Sequence, residues 1–387
     1  MARFTRELRN SPPDMTSPLP DPVPLAQLSR ALVTKLRHHG DVLLASPVFT
    51  TLKRAAPHVE IDALVYHETA PLLANHPAIA RTFVIDREWK RSGLGMQIRE
   101  EWRLLRALRE RRYDLLVHLT EHPRGLTLAR LLRPRYAVTR ERERGGRSWR
   151  RHFTHFYRQP RQTPRHTVER NLDALRRIGV YPSGDDKRLV LVPGAADHAH
   201  VERLLAQHAI AANGFVHAHP GSRWLFKCWP AEHTAELFAR LTRSGIDVVV
   251  TGAPDARERA LVSQILGGVP GGAPGRVIDV SGGLTLPQLA ALTARARAFV
   301  GVDSAPMHIA AAMGTPTLAL FGPSGEQEWG PWMVAQRVLV SADFPCRPCG
   351  IDGCGGGKVS ECLTTLPVEA VHAALLALLE PRRVDLH

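Results

Sequence analysis

The sequence predicts an α/β protein built on doubly wound parallel sheets, and three observations carry that prediction. Short apolar runs of strand length alternate with helical patterns along most of the 387 residues, as strand–helix–strand units with parallel strands require. The chain is longer than one ordinary core organises, so two domains are expected. Third, Ala298–Ser324, AFVGVDSAPMHIAAAMGTPTLALFGPS, holds a complete unit. Strand Ala298–Val302 leads to a helix over about Ala305–Met313, with Ser304 as its cap and Gly314 and Pro316 ending it, then to strand Thr317–Phe321. Asp303 and Ser304 thereby reach the carboxyl edge of a sheet. There a helix amino terminus offers free N–H groups and a positive dipole end, so a phosphate-bearing ligand is expected over Asp303–His308.

In chain order, residues 1–27 hold Pro12, Pro13, Pro18, Pro20, Pro22 and Pro24 in a polar setting and read as a disordered tail. No signal-peptide core precedes the fold and no apolar run reaches spanning length, so a cytoplasmic protein with five thiols is expected. The first domain, 28–190, opens with strand Leu32–Leu36, the loop Arg37–Asp41 and a helix over Val42–Ala56. Neither GxGxxG nor a phosphate loop is present. The turn offers one carboxylate, Asp41, beside Gly40, which permits close approach of a substrate. Asp41 suits either catalysis or helix capping. Strands Ile61–Tyr66, Arg81–Ile85 and Leu115–His118 follow, with helices Ala70–Asn75, Gly95–Arg111 and Pro123–Leu132. Arg140–Arg151, RERERGGRSWRR, reads as a basic loop with an exposed Trp149, suited to phosphates or lipid head groups. Thr167–Ile178 is a helix and Leu189–Val192 a strand, with the hinge placed in 181–197. The second domain, 191–365, repeats the pattern: strands Phe215–Ala218, Asp247–Thr251 and Val277–Val280 each end in a glycine-containing loop, which suits a nucleotide lying across them. Residues 366–387 read as a C-terminal helix and tail that can pack back on the first domain.

Charge is unevenly spread. Residues 1–190 carry 36 Lys and Arg against 20 Asp and Glu, whereas 191–387 carry 15 against 17. The basic half points to an anionic partner: nucleic acid, a membrane surface or a phosphorylated substrate. Aromatics interleaved with Arg and Lys, or a recognised nucleic-acid module, are missing, so no nucleic-acid partner is expected. Cys346, Cys349, Cys354 and Cys362 have spacings that make a four-thiolate zinc site sterically conceivable, but the matching second CxxC is absent; reduced thiols and no metal are expected.

Three separated segments resemble one family in the right order: KLRHHGDVLLASPVFTTLK, HPGSRWLFKCWP and VGVDSAPMHIAAAMGTPTLALFGPS look like the ADP-heptose:lipopolysaccharide heptosyltransferases (glycosyltransferase family 9). PCRPCGIDGCGGGKVSECL and the HHGD turn are most similar to the heptosyltransferase III branch. The resemblance covers about residues 30–380. It implies a GT-B architecture of two Rossmann-like domains facing a central cleft, with the acceptor in the first and the donor in the second. It also implies inverting, metal-independent transfer of L-glycero-D-manno-heptose, with ADP-heptose as donor substrate and no cofactor. Carried over by position, Asp41 is the general base and Lys227 neutralises donor phosphate. The Ser/Thr pair upstream falls on Ser222 and Arg223, so its second hydroxyl is missing. Asp303 holds the heptose, Ser304 and the residues Ala305 and Pro306 meet the diphosphate, and His308 matches the motif histidine. The ribose-binding acid falls near Asp255 or Glu258, and Gly283 and Leu284 lie in the adenine-side loop. The implied partners are the ADP-sugar, the phosphorylated lipopolysaccharide inner core and the anionic inner face of the inner membrane, with a peripheral, cytoplasmic location. The same architecture also serves transferases with other sugar-nucleotide donors, which is the rival reading.

Overall fold

The computed structural model describes residues 21–120, 122–142, 146–159 and 163–380. The expected tail over 1–20, the centre of the basic loop and the last seven residues lie outside them. Among the described residues the strands form two six-stranded parallel sheets. The first holds β1 (Arg30–Thr34), β2 (Glu60–Tyr66), β3 (Arg81–Ile85), β4 (Leu115–His118), β5 (Tyr136–Arg140) and β6 (His155–Tyr157), in the order β3-β2-β1-β4-β5-β6. The second holds β7 (Phe215–His219), β8 (Asp247–Val250), β9 (Val277–Asp279), β10 (Ala298–Val302), β11 (Thr317–Leu320) and β12 (Gln336–Leu339), in the order β12-β11-β10-β7-β8-β9. The central strands are buried on both faces, so β1 and β10 read as continuous apolar runs. Strand order reverses between β1 and β4 in one sheet and between β7 and β10 in the other. Ligand crevices form outside the carboxyl ends of strands at such reversals.

Among the described residues six α-helices flank the first sheet: α1 (His39–Leu43), α2 (Ser46–Ala55), α3 (Leu94–Glu110), α4 (Arg124–Leu132), α5 (Arg147–His152) and α6 (Thr167–Arg176). With the second sheet go α7 (Ala195–Gln207), α8 (Ala231–Arg243), α9 (Ala256–Gly267), α10 (Leu286–Thr293), α11 (Ala305–Ala312), α12 (Glu326–Trp329), α13 (Glu361–Thr364) and α14 (Val368–Leu379). The units meet directly. α1 packs on α11, and Leu289, Ala290, Ile309 and Ala311 join the apolar core that Val42, Leu43 and Phe49 occupy.

Several expectations need correction. The single helix over Val42–Ala56 is two, because Pro47 sits in the first turn of α2, where its missing N–H costs nothing. Ala70–Asn75 is replaced by a 3-10 helix, His67–Leu72, with Pro71 inside it. Leu189–Val192 pairs with no strand; its backbone is pinned instead through Val190 N donating to Ser46 Oγ (2.9 Å) while Leu189 and Leu191 bury in the first core. Trp149 is not exposed. It lies on the inner face of α5, next to Phe153 and His118, with the arginines of that helix turned outward. The C-terminal helix does not return to the first domain: Val371, Leu375 and Leu379 of α14 join the core of the second, beside α8, β10 and β11. Residues 21–27 belong to the fold, since Val23 is buried and donates to Ile178 O (3.1 Å), and Asp21 pairs with Arg177 (2.9 Å).

The first sheet is braced by a buried charge. Asp62 on β2 is fully buried and accepts from Arg111 Nε (2.7 Å) and Tyr113 Oη (2.7 Å). Removing one member strands the carboxylate in a dry interior. Arg111→Met should therefore lower stability by about 3–5 kcal/mol in chemical denaturation, while Asp62→Asn in the same background should recover part of the loss.

Candidate active site

The two crevices face each other across the interface. On the first side β1 runs into Lys35–His38 and then α1, whose first turn carries Asp41. Lys35 is buried; its Nζ donates to Asn171 Oδ1 on α6 (3.0 Å) and lies 3.9 Å from Asp41 Oδ1. Arg37 Nε approaches the same oxygen at 3.9 Å. Burial pushes the Lys35 ammonium down to about 8, with the Asp41 charge resisting the fall. Together with the carboxyl end of β4 these residues open a cavity of about 520 Å³. Among the described residues five cationic side chains line it, Lys35, Arg37, Arg87, Arg140 and Arg170, against one carboxylate, Asp41. Sequence reasoning named only Asp41 here. The others come from four separate segments, and only their spacing in the folded sheet brings them together.

On the second side the loop after β7 carries Ser222, Arg223 and Lys227, and the loop after β10 carries Asp303 and Ser304. Lys227 Nζ donates to Asp303 Oδ2 at 2.6 Å, so the predicted phosphate partner and the predicted sugar partner touch. Ser304 takes the N-cap position of α11, yet its hydroxyl caps nothing. Position N2 is Pro306, which has no N–H, and the Met307 N–H goes to the Ser304 carbonyl (3.2 Å). The Ser304 Oγ is therefore buried without a partner, and so is Nδ1 of His308 one turn on. Buried polar atoms are rarely left unpaired in a finished structure; two side by side at a helix amino terminus mark a place for a polar ligand. Of the two residues predicted to meet a diphosphate with backbone amides, only Ala305 has an amide hydrogen; Pro306 can only shape the turn.

His308 joins the two sides. It is buried, and burial pushes it down to about 4, so it is neutral at physiological pH; Asp303 and Lys227 of its own domain and Asp41 and His166 of the other all act on it. A Cβ added to Gly40 would fall 2.9 Å from His308 Cδ2. Asp41, the next residue, is thus close enough for its charge to act on His308, as do Lys227 and Asp303 from the other side. Arg223 also crosses the gap, placing Nη1 2.9 Å from His38 Nδ1. His38 is held below its usual range by burial and then by the Arg223 charge. Arg170 of α6 reaches Glu328 (3.2 Å), and His166 stacks on Trp332 at 4.3 Å between ring centres.

The remaining predicted residues divide. Ser222 is buried under the β7 loop, its Oγ 3.4 Å from the Trp224 N–H. Asp255 is exposed and caps α9, accepting from Arg257 N (3.1 Å) and Glu258 N (3.2 Å). Glu258 is the buried acid. It accepts from Ala253 N (2.8 Å), lies 3.5 Å from His219 Nε2 and sits beneath Gly221, whose absent Cβ would fall 2.5 Å from Oε2. Burial raises its proton affinity, but the His219 contact and the Ala253 amide outweigh that and hold it below the usual carboxylate range. Gly283 is exposed in the loop after β9, and Leu284 packs into the core shared by the domains. Beside Lys227 a second cavity of about 680 Å³ runs along Trp224, Phe226 and the Pro323–Trp329 segment. Trp329 lines both cavities, a wall that sequence reasoning missed. Cys346, Cys349 and Cys354 are exposed thiols and Cys362 is buried; among the described residues they do not converge as a metal-binding set.

The family model for glycosyltransferase family 9 (heptosyltransferase) matches residues 101–359. Lipopolysaccharide heptosyltransferase 3 of Escherichia coli is 35% identical over 324 residues, covering 81% of this chain and 89% of the relative. Lipopolysaccharide heptosyltransferase 1 of Pseudomonas aeruginosa is 32% identical, covering 83% and 86%. Among solved structures, a family 9 glycosyltransferase from Veillonella parvula superposes with a TM-score of 0.79 at 24% identity, covering 91% of this chain and 97% of that one. Escherichia coli ADP-heptose lps heptosyltransferase II superposes with 0.71 at 22% identity, covering 90% and 98%. The two facing α/β units are thus those of the GT-B heptosyltransferases, and the chain belongs to glycosyltransferase family 9, the heptosyltransferases.

Proposed function

We propose that this enzyme transfers L-glycero-D-manno-heptose, with inversion and without a metal ion, from ADP-heptose to a phosphorylated inner-core sugar of lipopolysaccharide, as a heptosyltransferase III-like enzyme. The observation that carries the proposal is that Asp41 from the first domain and Lys227 and Asp303 from the second all act on His308 of α11. Inverting transfer needs a base on the acceptor side and positive charge where the leaving diphosphate gathers negative charge. Asp41 serves as that base, taking the proton of the acceptor hydroxyl as its oxygen attacks the anomeric carbon. Lys227, the Ala305 amide, the Ser304 hydroxyl and the α11 dipole meet the diphosphate. Asp303, freed in part from Lys227 when phosphate arrives, accepts from sugar hydroxyls. Neutral His308 donates or accepts one hydrogen bond without adding charge. Glu258, rather than the capping Asp255, is the acid suited to ribose hydroxyls. The five cations of the first cavity suit a phosphorylated acceptor, and Lys35 holds the charge of Asp41 in place.

Asp41→Asn keeps the shape of the side chain and removes the base. Turnover should fall about 10²–10⁴-fold, with the dissociation constant for ADP unchanged by calorimetry. Normal turnover in that variant would refute the base assignment. Lys227→Met removes a charge-assisted contact worth about 1.5–3 kcal/mol, so ADP-heptose should bind some ten- to a hundredfold more weakly. Screening ADP-, UDP- and GDP-sugars in the same hydrolysis assay tests the donor; preference for another nucleotide sugar would favour the rival transferase. The pH profile supplies a third check. Lys35 is cationic below a pKa of about 8 and neutral above it, so acceptor affinity and kcat/KM should decline as pH rises through 8. Lys35→Arg stays charged at these pH values and should lose that limb.

A further inference from the structure

One surface is left unexplained by transfer chemistry. Of the large apolar side chains exposed on the molecule, four lie on α3 or its first turn: Leu94 (79% exposed), Met96, Ile98 (66%) and Trp102 (64%). At 100° per residue, positions 94, 98, 102 and 105 fall within an arc of about 80° on the helix, so they form one stripe. Arg99, Arg103 and Arg106 border that stripe at roughly 120–180° and are each well over half exposed. Between α3 and α4 the stripe deepens into a groove of about 630 Å³, walled by Ile98, Trp102, Leu105, Leu128 and Leu131. The groove and the basic acceptor cavity share His122 and Pro123 as a common rim.

Charge identifies the occupant. Residues 87–151, which include α3, α4 and α5, carry 19 Lys and Arg against 8 Asp and Glu, about two-thirds of the excess of the basic half. An exposed apolar stripe edged by arginine, with a Trp on it, has the composition of a helix lying in the head-group region of an anionic bilayer. Among the described residues no helix is long and apolar enough to cross a membrane, so attachment has to come from a face. A protein partner would need its own acidic groove-filling segment, and nothing on this face selects one.

We infer that α3, with the groove it forms against α4, is the membrane-docking face of this enzyme, seating its apolar stripe among the lipids of an anionic leaflet and opening the acceptor cavity beside it. The orientation presents the cavity to a substrate whose sugars rise from that same leaflet. Only this last step rests on the proposed acceptor; docking itself is scored without turnover.

The test is co-sedimentation of the full chain with vesicles of equal parts phosphatidylethanolamine and phosphatidylglycerol, and with phosphatidylcholine vesicles as control. Wild type should pellet with the anionic vesicles alone, less so at high salt. Ile98→Glu with Trp102→Glu should weaken binding at least about tenfold, with the ADP-induced thermal shift and far-ultraviolet spectrum unchanged. Arg99→Glu with Arg103→Glu should also weaken binding, at low salt. Wild-type binding by the apolar-to-acid variant overturns the inference, as does a wild type that stays in the supernatant. A wild type that ignores vesicles but dimerises through this face, becoming monomeric in the Ile98 and Trp102 variant, assigns the stripe to a second copy and overturns it too. Vesicle binding without turnover of any sugar nucleotide would sink the proposed function and leave docking standing.

Discussion

The cleft depends on how closely α1 can lie against α11. Gly40 stands at the contact, and any side chain there would collide with the His308 ring. Around it the interface is built from small and aliphatic residues, Ala290, Ile309 and Ala311 on one side and Val42 and Leu43 on the other, fused into one core. Such a contact is a packed seam rather than a wet domain boundary, and packed seams deform little. It holds Asp41 at a fixed approach to the second domain. A base must sit within hydrogen-bond reach of its proton, and misplacement by about 1 Å costs heavily. If Asp41 is the base proposed above, the glycine constrains catalysis although it performs no chemistry.

Around that seam the charges are sorted by depth. Lys35 is buried and easily loses its proton, whereas Arg37, Arg87, Arg140 and Arg170 are guanidinium groups that keep theirs. A buried ammonium is the more sensitive partner for Asp41, because a dry setting strengthens each interaction and makes each charge expensive. Opposite, the second domain spends little formal charge. Lys227, the free hydroxyl of Ser304, one amide and a helix dipole gather at this edge, where the proposed diphosphate would lie, and His308 is kept neutral. Donors held at a fixed place need little reorganisation when negative charge develops, which is how preorganised sites lower barriers.

Much of this was legible in the sequence, for a physical reason. Strand length, helix caps and glycine turns are local, so the alternation of elements and the position of the β10–α11–β11 unit follow from short-range chemistry. Asp41, Lys227, Asp303, Ser304 and His308 sit in the loops after strands or the first turns of the helices that follow, whose place at a sheet edge is fixed by that alternation. What escaped was tertiary. Trp149 looked exposed because its neighbours are arginines, but a short helix separates the two kinds by face. The apolar α14 carries no address, and only complementarity with α8 and the second sheet decides where it docks. Ser304 was misjudged as a capping side chain for want of one detail: Pro306 removes the donor that would have occupied it. Asp255 and Glu258 lie three residues apart, and only the helix turn between them separates a cap from a buried acid.

The uneven charge then has an account that local catalysis cannot supply. At physiological salt a charge is screened beyond about 8 Å, so arginines on the outer faces of α3, α4 and α5 contribute little at the anomeric carbon. The cavity itself uses Arg140 from that stretch and Arg87 at its start; most of the rest face outward. A surplus that does not act at the reacting atoms acts on whatever approaches from outside. For a soluble small substrate it would be wasted, since steering needs only the charge at the cleft mouth. Against a charged plane it accumulates, each cation adding about 1 kcal/mol near the surface. The neutral balance of the second half fits the division proposed above, in which the donor diffuses in from solution and the acceptor is met at a surface.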